Sequence, residues 1–194
     1  MVKKIAFIVE GDTEKIIIES DTFKNWIKNF NLELIDQVIN ATGGGNLLPD
    51  KIEDMIYTLK NQGAEHIFIL ADLELAPSIQ SVKDKMEHPE VKDIFITVVA
   101  LESWFLACSS ALGKWLQQDE PFFTENPEDT SLEMPFERIR KIGVEVRGRG
   151  ISNKVALAKT MINHHGFNFE EILAHPNCSS LKYIERVLKS LNNP

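Results

Sequence analysis

The sequence contains few cysteines and no long apolar run. Its two cysteines, Cys108 and Cys178, lie far apart and form no Cys-x-x-Cys pair, which argues against a zinc site or a disulfide framework and favours reduced thiols. No stretch approaches the roughly 18 apolar residues that a membrane-spanning helix needs. The apolar run before Glu10 is also too short for a secretory signal. We therefore expect a cytoplasmic protein without a membrane segment.

Basic side chains are also in the minority. The 194 residues include 21 Lys and Arg against 29 Asp and Glu, which gives a net charge of −8. A protein that coats nucleic acid by charge alone needs many basic groups on one face, so this class is disfavoured. An enzyme that acts on phosphodiesters through metal-bound carboxylates remains compatible with an acidic chain.

Segments of strand length alternate with segments of helical period up to residue 117. The predicted strands are 4–9, 32–39, 66–71 and 93–100. The predicted helices between and after them are 13–30, 47–62, 78–87 and 102–117. This alternation predicts an α/β fold in which a parallel sheet of about four strands is flanked by helices.

The last third of the chain has a different pattern. Residues 118–136 are acidic and contain proline, which predicts a surface loop that is partly mobile. No strand is predicted beyond residue 136, and the predicted helices are 153–164, 168–174 and 179–191. We therefore expect an α/β domain over 1–117, with an acidic loop and helical extension over 118–194 packed on the same domain.

Carboxylates follow three of the four predicted strands. Glu10 ends the first strand, Asp72 and Glu74 follow the third, and Glu102 follows the fourth. The carboxyl ends of parallel strands meet at one edge of the sheet, where ligands bind. Clustered carboxylates repel one another unless a cation lies between them, and Mg²⁺ or Mn²⁺ prefers such oxygen ligands. Alternatively, each group is a helix cap or a solvated loop residue, and Glu14 complements a helix dipole.

Two further segments are candidates for phosphate contact. The loop Gly43-Gly44-Gly45-Asn46 precedes a predicted helix and could cradle a phosphate, or could be a plain turn with Asn46 as a helix cap. Its spacing fits neither a Walker A loop nor a dinucleotide fingerprint. Residues 137–154 hold six basic and two acidic side chains. Arg147, Arg149 and Lys154 could clamp a phosphate backbone, or this segment could be a solvated loop that balances the acidic stretch.

Several of these motifs resemble Toprim domains, the topoisomerase-primase fold. Residues 9–14 (Val-Glu-Gly-Asp-Thr-Glu) resemble the opening motif, and residues 69–74 (Ile-Leu-Ala-Asp-Leu-Glu) resemble the later Asp-x-Asp motif. Residues 101–107 (Leu-Glu-Ser-Trp-Phe-Leu-Ala) resemble a Toprim-like bacterial family of unknown function. That family is related to Toprim nucleases of the overcoming-lysogenisation-defect type and is often linked to phage defence. The loop at 43–46, Asn153-Lys154 and residues 178–181 are similar to further motifs of that family.

The resemblance implies a Toprim/Rossmann-like sheet and a metal-dependent reaction. It places Mg²⁺ (or Mn²⁺) on Glu10, Asp72 and Glu74, with Glu102 as a further ligand and Glu14 in the surrounding shell. The implied reaction is phosphodiester cleavage or a related phosphoryl transfer, with Glu10 as general acid/base. The glycine loop and the basic segment, read from their own residues, supply the expected phosphate contacts Gly44, Gly45, Asn46, Arg147, Arg149 and Lys154. Of these, Lys154 also matches the family's pattern. The chain departs from the pattern at Glu74, where the family has Asp. The side chain of Glu is longer by one methylene, so the geometry around the metal would differ.

Two alternatives remain open from the sequence. In the first, the protein is a non-catalytic module whose acidic edge binds a partner protein or a nucleotide. In the second, it is a small-molecule phosphohydrolase, because an acidic protein suits a compact substrate better than long DNA. The leading hypothesis instead expects contact with nucleic acid or a nucleotide phosphate.

Overall fold

The computed structural model of the protein describes residues 1–192 and contains one parallel sheet. Its strands are β1 (Lys3–Val9), β2 (Leu32–Leu34), β3 (Ile39–Asn40), β4 (His66–Asp72) and β5 (Asp93–Thr97). The order across the sheet is β2-β1-β4-β5. The short strand β3 pairs with the end of β1, at Ile8 and Val9, whereas β2 pairs with the beginning of β1. Every pairing is parallel, as the alternation of strands and helices predicts.

The helices lie on both faces of this sheet. They are α1 (Asp12–Glu19), α2 (Asp21–Lys28), α3 (Pro49–Asn61), α4 (Ile79–Met86), α5 (Ser103–Ala107), α6 (Ser109–Trp115), α7 (Pro135–Arg147), α8 (Lys154–His164), α9 (Phe169–Ala174) and α10 (Ser180–Ser190). None of the helices in this part of the chain combines the length and apolar character that crossing a membrane requires.

Alternate side chains of the strands build two separate cores. On one face, Phe7, Phe68 and Phe95 are buried together with apolar residues of α1, α2 and the helices from α5 to α10. On the other face, Ile8 and Ile69 are buried with residues of α3 and α4. Because successive strand residues point to opposite faces, strands covered on both sides are apolar throughout. The result is three layers, with the C-terminal helices belonging to the first core.

Two predicted helices are each divided in the structure. The predicted helix 13–30 breaks at Ser20, whose hydroxyl accepts a hydrogen bond from the N–H of Phe23 at 3.1 Å and so begins α2. The predicted helix 102–117 breaks at Cys108, where the carboxylate of Glu171 accepts from the N–H of Ser110 at 2.9 Å. In both places, a side chain binds a backbone N–H that a continuous helix would have used.

Two predicted strands are shorter than expected. The predicted strand 32–39 is interrupted, because Leu34 and Ile35 are both buried and the next two residues are both exposed, which breaks the alternation of a ladder. The predicted strand 93–100 ends at Thr97, and Val99 has a positive φ of 65° that turns the chain toward Glu102.

The segment from residue 118 to 147 differs most from its prediction. A helix, α7, begins at Pro135 and ends before Gly148, although no helix was expected there. The loop before it is held to the start of α10. The carboxylate of Glu128 accepts from the N–H groups of Ser179 and Ser180 at 2.6 and 3.1 Å, and from both serine hydroxyls. His175 Nε2 lies 2.8 Å from the carbonyl oxygen of Thr124.

We predict that the Glu128 carboxylate fastens this loop and caps α10. Glu128→Ala should lower the free energy of unfolding by about 2 kcal/mol, because it leaves several N–H and O–H donors without their acceptor. The measurement is urea unfolding, combined with limited proteolysis of residues 118–134. The matched control is Glu125→Ala, since Glu125 is exposed in the same loop and, within residues 1–192, only its backbone oxygen is used, as the acceptor for Asn177 Nδ2. Equal stability and equal cleavage of the two variants would contradict the prediction.

Candidate functional site

The carboxylate of Glu10 lies at the centre of the carboxyl edge of the sheet. β1 and β4 pair with Val9 opposite Leu70, so the residues that follow them are neighbours. Glu10 Oε2 accepts a hydrogen bond from the N–H of Asp72 at 3.1 Å. On its other side is Gly44, where a Cβ atom would lie 3.1 Å from Glu10 Oε1. The glycine loop therefore approaches the carboxylate more closely than a loop with side chains would.

Asp72 is held in place by the neighbouring strand. Thr97 is opposite Asp72 in the β4–β5 register, and its hydroxyl donates to Asp72 Oδ1. The N–H of Leu101 donates to the same oxygen at 2.9 Å. Thr97 was not expected at the site, because the predicted strand 93–100 runs past it, whereas β5 ends at Thr97.

Two further carboxylates are buried behind this edge. Glu14, in the first turn of α1, is 5% exposed, and Glu102, which precedes α5, is 1% exposed. Neither oxygen of Glu102 has a hydrogen-bond partner among the described residues. Lys154 Nζ lies 3.2 Å from Glu102 Oε2, which is an ion-pair distance, but the angle is outside the hydrogen-bond range. The side chain that faces these acids thus comes from α8, in the C-terminal extension.

A cleft of about 430 Å³ opens above these groups. Glu10, Glu14, Asp72, Glu74 and Lys154 all line it. The other residues of its wall are Gly11, Asp12, Thr13, Asn40, Thr42, Gly43 and Val155. Five carboxylates therefore face one lysine in this cleft, which we call the acidic cleft.

The charge imbalance changes the acidity of the buried groups. Burial raises the pKa of Glu14 to about 7, and the negative charges of Glu102 and Glu10 add to this shift. Burial, followed by the charge of Glu14, raises the pKa of Asp72 well above its usual value. Burial lowers the pKa of Lys154, but Glu102 and Asp72 outweigh it and the pKa is raised overall. The raised pKa values of Glu14 and Asp72 mean that these two acids resist ionisation, and the raised pKa of Lys154 means that it stays charged at neutral pH.

Polar residues of β3 and the glycine loop complete one side of the acidic cleft. Asn40 Nδ2 donates to Asp12 Oδ1 at 2.7 Å, and Asn40 Oδ1 accepts from the N–H of Thr42 at 2.7 Å. Asn46 Nδ2 donates to the carbonyl oxygen of Ala41 at 2.8 Å, which closes the loop on itself. Asn40, Asp12 and Thr42 were not among the residues singled out from the sequence, because their proximity depends on the pairing of β3 with β1.

The remaining candidates occupy different positions. Glu74 is exposed at the rim, with a positive φ of 48° and its N–H bonded to the oxygen of Val99 at 2.7 Å. Gly44 and Gly45 line a second cleft, which also touches Glu10. Arg147 and Arg149 line neither cleft. The guanidinium of Arg147 stacks 3.9 Å from the Trp115 ring centre and donates to the Trp115 oxygen at 2.9 Å.

The chemistry of this donor set suits a divalent cation. Oxygen ligands are abundant, the buried oxygens of Glu102 lack hydrogen bonds, and one lysine does not balance the acids. Within residues 1–192, however, no three His, Cys, Asp or Glu side chains are arranged around a common point as metal ligands. Glu10 and Asp72 each use one oxygen on a backbone N–H instead.

Comparison of the chain with protein-family models, with curated proteins and with solved structures gave no match.

The raised pKa of Glu14 predicts a pH-dependent stability. A carboxyl whose pKa is about 7 when folded and 4.5 otherwise stabilises the fold below pH 4.5, and this contribution is lost as the pH rises through 7. Glu14→Gln should therefore make the metal-free protein more stable at pH 8, by about 3 kcal/mol at most, with little change at pH 4. Urea unfolding in EDTA at both pH values measures this difference.

The matched control for that experiment is Glu19→Gln on the same helix. The side chain of Glu19 is 39% exposed and pairs with Lys15 at 3.7 Å, so removal of its charge should leave the pH dependence unchanged. If Glu14→Gln and Glu19→Gln gave the same pH profile, Glu14 would not be the buried acid that the geometry describes.

Proposed function

We propose that the protein is an enzyme dependent on Mg²⁺ or Mn²⁺ that cleaves phosphodiester bonds or carries out a related phosphoryl transfer. The observation that supports this proposal is the excess of carboxylates at the carboxyl edge of a parallel sheet. Glu14 and Glu102 are almost completely buried there, and among the described residues Lys154 is the one lysine that lines the acidic cleft. Burial of carboxylates without a balancing positive charge is costly, and a bound divalent cation would supply that charge.

The residues that would hold the cation are Glu10 and Asp72, with Glu74 at the rim and Glu14 and Glu102 behind them. Glu10 and Asp72 each have an oxygen that is not used in the backbone hydrogen bonds described above. When bound, the cation would polarise a phosphoryl oxygen and lower the pKa of a bound water. Thr97 and the N–H of Leu101 orient Asp72, so the carboxylate needs no further ordering.

The protein's own groups supply the other requirements of the reaction. Lys154 keeps its charge in the cleft and can bind a phosphate oxygen. Gly44 lets the loop lie against Glu10, since a Cβ atom there would lie 3.1 Å from Glu10 Oε1. Glu10 is the first candidate for general acid/base, since it is partly exposed at the centre of the edge. Glu14, with a pKa near 7, can hold a proton beside it.

The Toprim resemblance of residues 9–14, 69–74 and 101–107 agrees with this proposal. Glu10, Asp72 and Glu102, one from each motif, all lie at the carboxyl edge of the parallel sheet. A place among the Toprim nucleases, and a part in phage defence, are proposed on this resemblance. Glu74 in place of Asp, exposed and on a turn with positive φ, is where the chain departs from that pattern.

One observation favours a non-catalytic binding module as a second candidate. The carboxylates of Glu10 and Asp72 already accept backbone hydrogen bonds, and Glu102 faces Lys154. Such a cluster can be stable without a cation, and its acidic edge could then bind a basic segment of a partner. Metal dependence separates the two candidates.

We predict that Mg²⁺ or Mn²⁺ raises the melting temperature by several degrees and that Asp72→Asn removes this effect, because it deletes a charged ligand. Thermal unfolding at increasing cation concentration measures the shift. Asp84→Asn is the matched control, since Asp84 is exposed on α4 and lines neither cleft that touches Glu10. Absence of a shift in the unmodified protein would favour the binding module.

Lys154→Met should separate cation binding from turnover. Removal of the ammonium leaves more negative charge in the acidic cleft, so the thermal shift caused by Mn²⁺ should persist or increase. Cleavage of a plasmid or oligonucleotide should fall at least tenfold, since a phosphate contact is lost. Lys159→Met, an exposed lysine on the same helix, should change neither. Full cleavage by Lys154→Met would contradict the role of Lys154.

A further inference from the structure

A second cleft adjoins the acidic cleft and shares part of its wall. Its volume is about 440 Å³, and Glu10, Asp72 and Glu74 line both clefts. The shared carboxylates therefore separate two spaces, each large enough for part of a ligand. A group bound at Glu10 or Asp72 can extend from one space into the other.

Half of the residues that line the second cleft are apolar, whereas Val155 is the one apolar side chain among the described residues that line the acidic cleft. The apolar side chains of the second cleft are Leu48, Leu73, Leu75, Ala76, Val82 and Met86. Lys85 is the one lysine that lines it among the described residues. The apolar side chains lie on one side of the shared carboxylates, so the two clefts suit different parts of one molecule.

Part of this apolar surface is fully open to water. Leu75 is 93% exposed and Leu48 is 36% exposed, whereas Leu73, Val82 and Met86 are 7–8% exposed and form the floor. A single exposed leucine needs no explanation, but exposed leucines above a concave apolar floor are typical of a binding surface. A Cβ atom at Gly45 would meet nothing within 4 Å, so the entrance is open.

The turn that carries Leu75 is held by backbone hydrogen bonds. The N–H groups of Leu73 and Glu74 donate to the oxygens of Thr97 and Val99 at 2.9 and 2.7 Å. Glu74 between the two leucines has a φ of 48°, a conformation that costs free energy for a residue other than glycine. The backbone therefore keeps Leu73 inward and Leu75 outward, at a cost typical of ligand sites.

We propose that the second cleft is a subsite for the nucleobase of a nucleotide or nucleic-acid strand whose phosphate lies at the acidic cleft. The inference rests on the proposed function, and it selects nucleotides over compact phosphates that have no ring. A nucleobase has flat apolar faces, which Leu48, Leu75 and Met86 can cover, and polar edges that Lys85 can reach. Its connection to a phosphate matches the shared wall of carboxylates.

Methyl groups of methionine provide a direct test that needs no turnover. The chain has five methionines; Met86 lines the second cleft, and Met161 is buried in the core on the opposite face of the sheet. With isotope-labelled methionine methyl groups, adenosine 5′-monophosphate should shift the Met86 resonance and leave Met161 unchanged. Ribose 5-phosphate, which has a hydroxyl group in place of the base, should not shift Met86. Met86→Leu assigns the signal.

Three results would overturn the proposal. Equal shifts of Met86 with both ligands would show that the cleft does not recognise the base, and no shift with either would show that it binds neither ligand. A Met86 signal that depends on protein concentration and not on adenosine 5′-monophosphate would show instead that Leu75 docks onto a second copy of the chain.

Substitution of the exposed leucine tests the same surface. Leu75→Ser should weaken binding of adenosine 5′-monophosphate about fivefold, since it removes an apolar contact without opening the core. The affinity for ribose 5-phosphate should not change. Val144→Ser is the matched control, because Val144 is 54% exposed on α7 and lines neither cleft. Equal affinities of the two variants for adenosine 5′-monophosphate would contradict the assignment.

The outcomes for the subsite and for the proposed enzyme are distinguishable. A shift of Met86 specific to adenosine 5′-monophosphate without metal-dependent cleavage would support the subsite and contradict the enzyme. Metal-dependent cleavage without any preference for a base-bearing ligand would support the enzyme and overturn the subsite.

Discussion

The parallel pairing of β1 with β4 is the constraint on which the site depends. With Val9 opposite Leu70, the residues after the two strands are neighbours, and the N–H of Asp72 meets the carboxylate of Glu10. A shift of this register by one residue would turn the side chains of one strand to the other face. Buried phenylalanines and isoleucines on alternate sides of both strands make such a shift costly. The two cores thus fix the position of the carboxylates.

The burial of negative charge links the sheet to the C-terminal helices. Glu14 and Glu102 come from the N-terminal two thirds of the chain, but the lysine beside them, Lys154, begins α8. α8 packs against α1, and Asn153 caps it by accepting from the N–H of Ala156 at 2.8 Å. The C-terminal extension therefore contributes both to the apolar core and to the electrostatics of the acidic cleft.

Most of the sheet was predictable, and the errors have a common cause. Continuous apolar runs identified β1, β4 and β5, because a strand that is buried on both faces is apolar at nearly every position. The breaks within two predicted helices and the whole of α7 were missed, where a side chain or a terminus controls the backbone, as Ser20, Glu171 and Pro135 do. Apolar periodicity does not report such local hydrogen bonds, since the break leaves the apolar face nearly unchanged.

The sequence by itself determined the parallel α/β class and the position of Glu10 and Asp72 at one edge, because strand ends and parallel connections follow from hydrophobic pattern and chain length. Only the tertiary structure decided which acids are buried. In the structure, Glu14 and Glu102 lie beside Lys154, Glu74 lies at the rim, and Arg147 stacks on Trp115 instead of lining the cleft. Burial depends on elements far apart in sequence, such as α1 and α8, and no local pattern records which of them pack together.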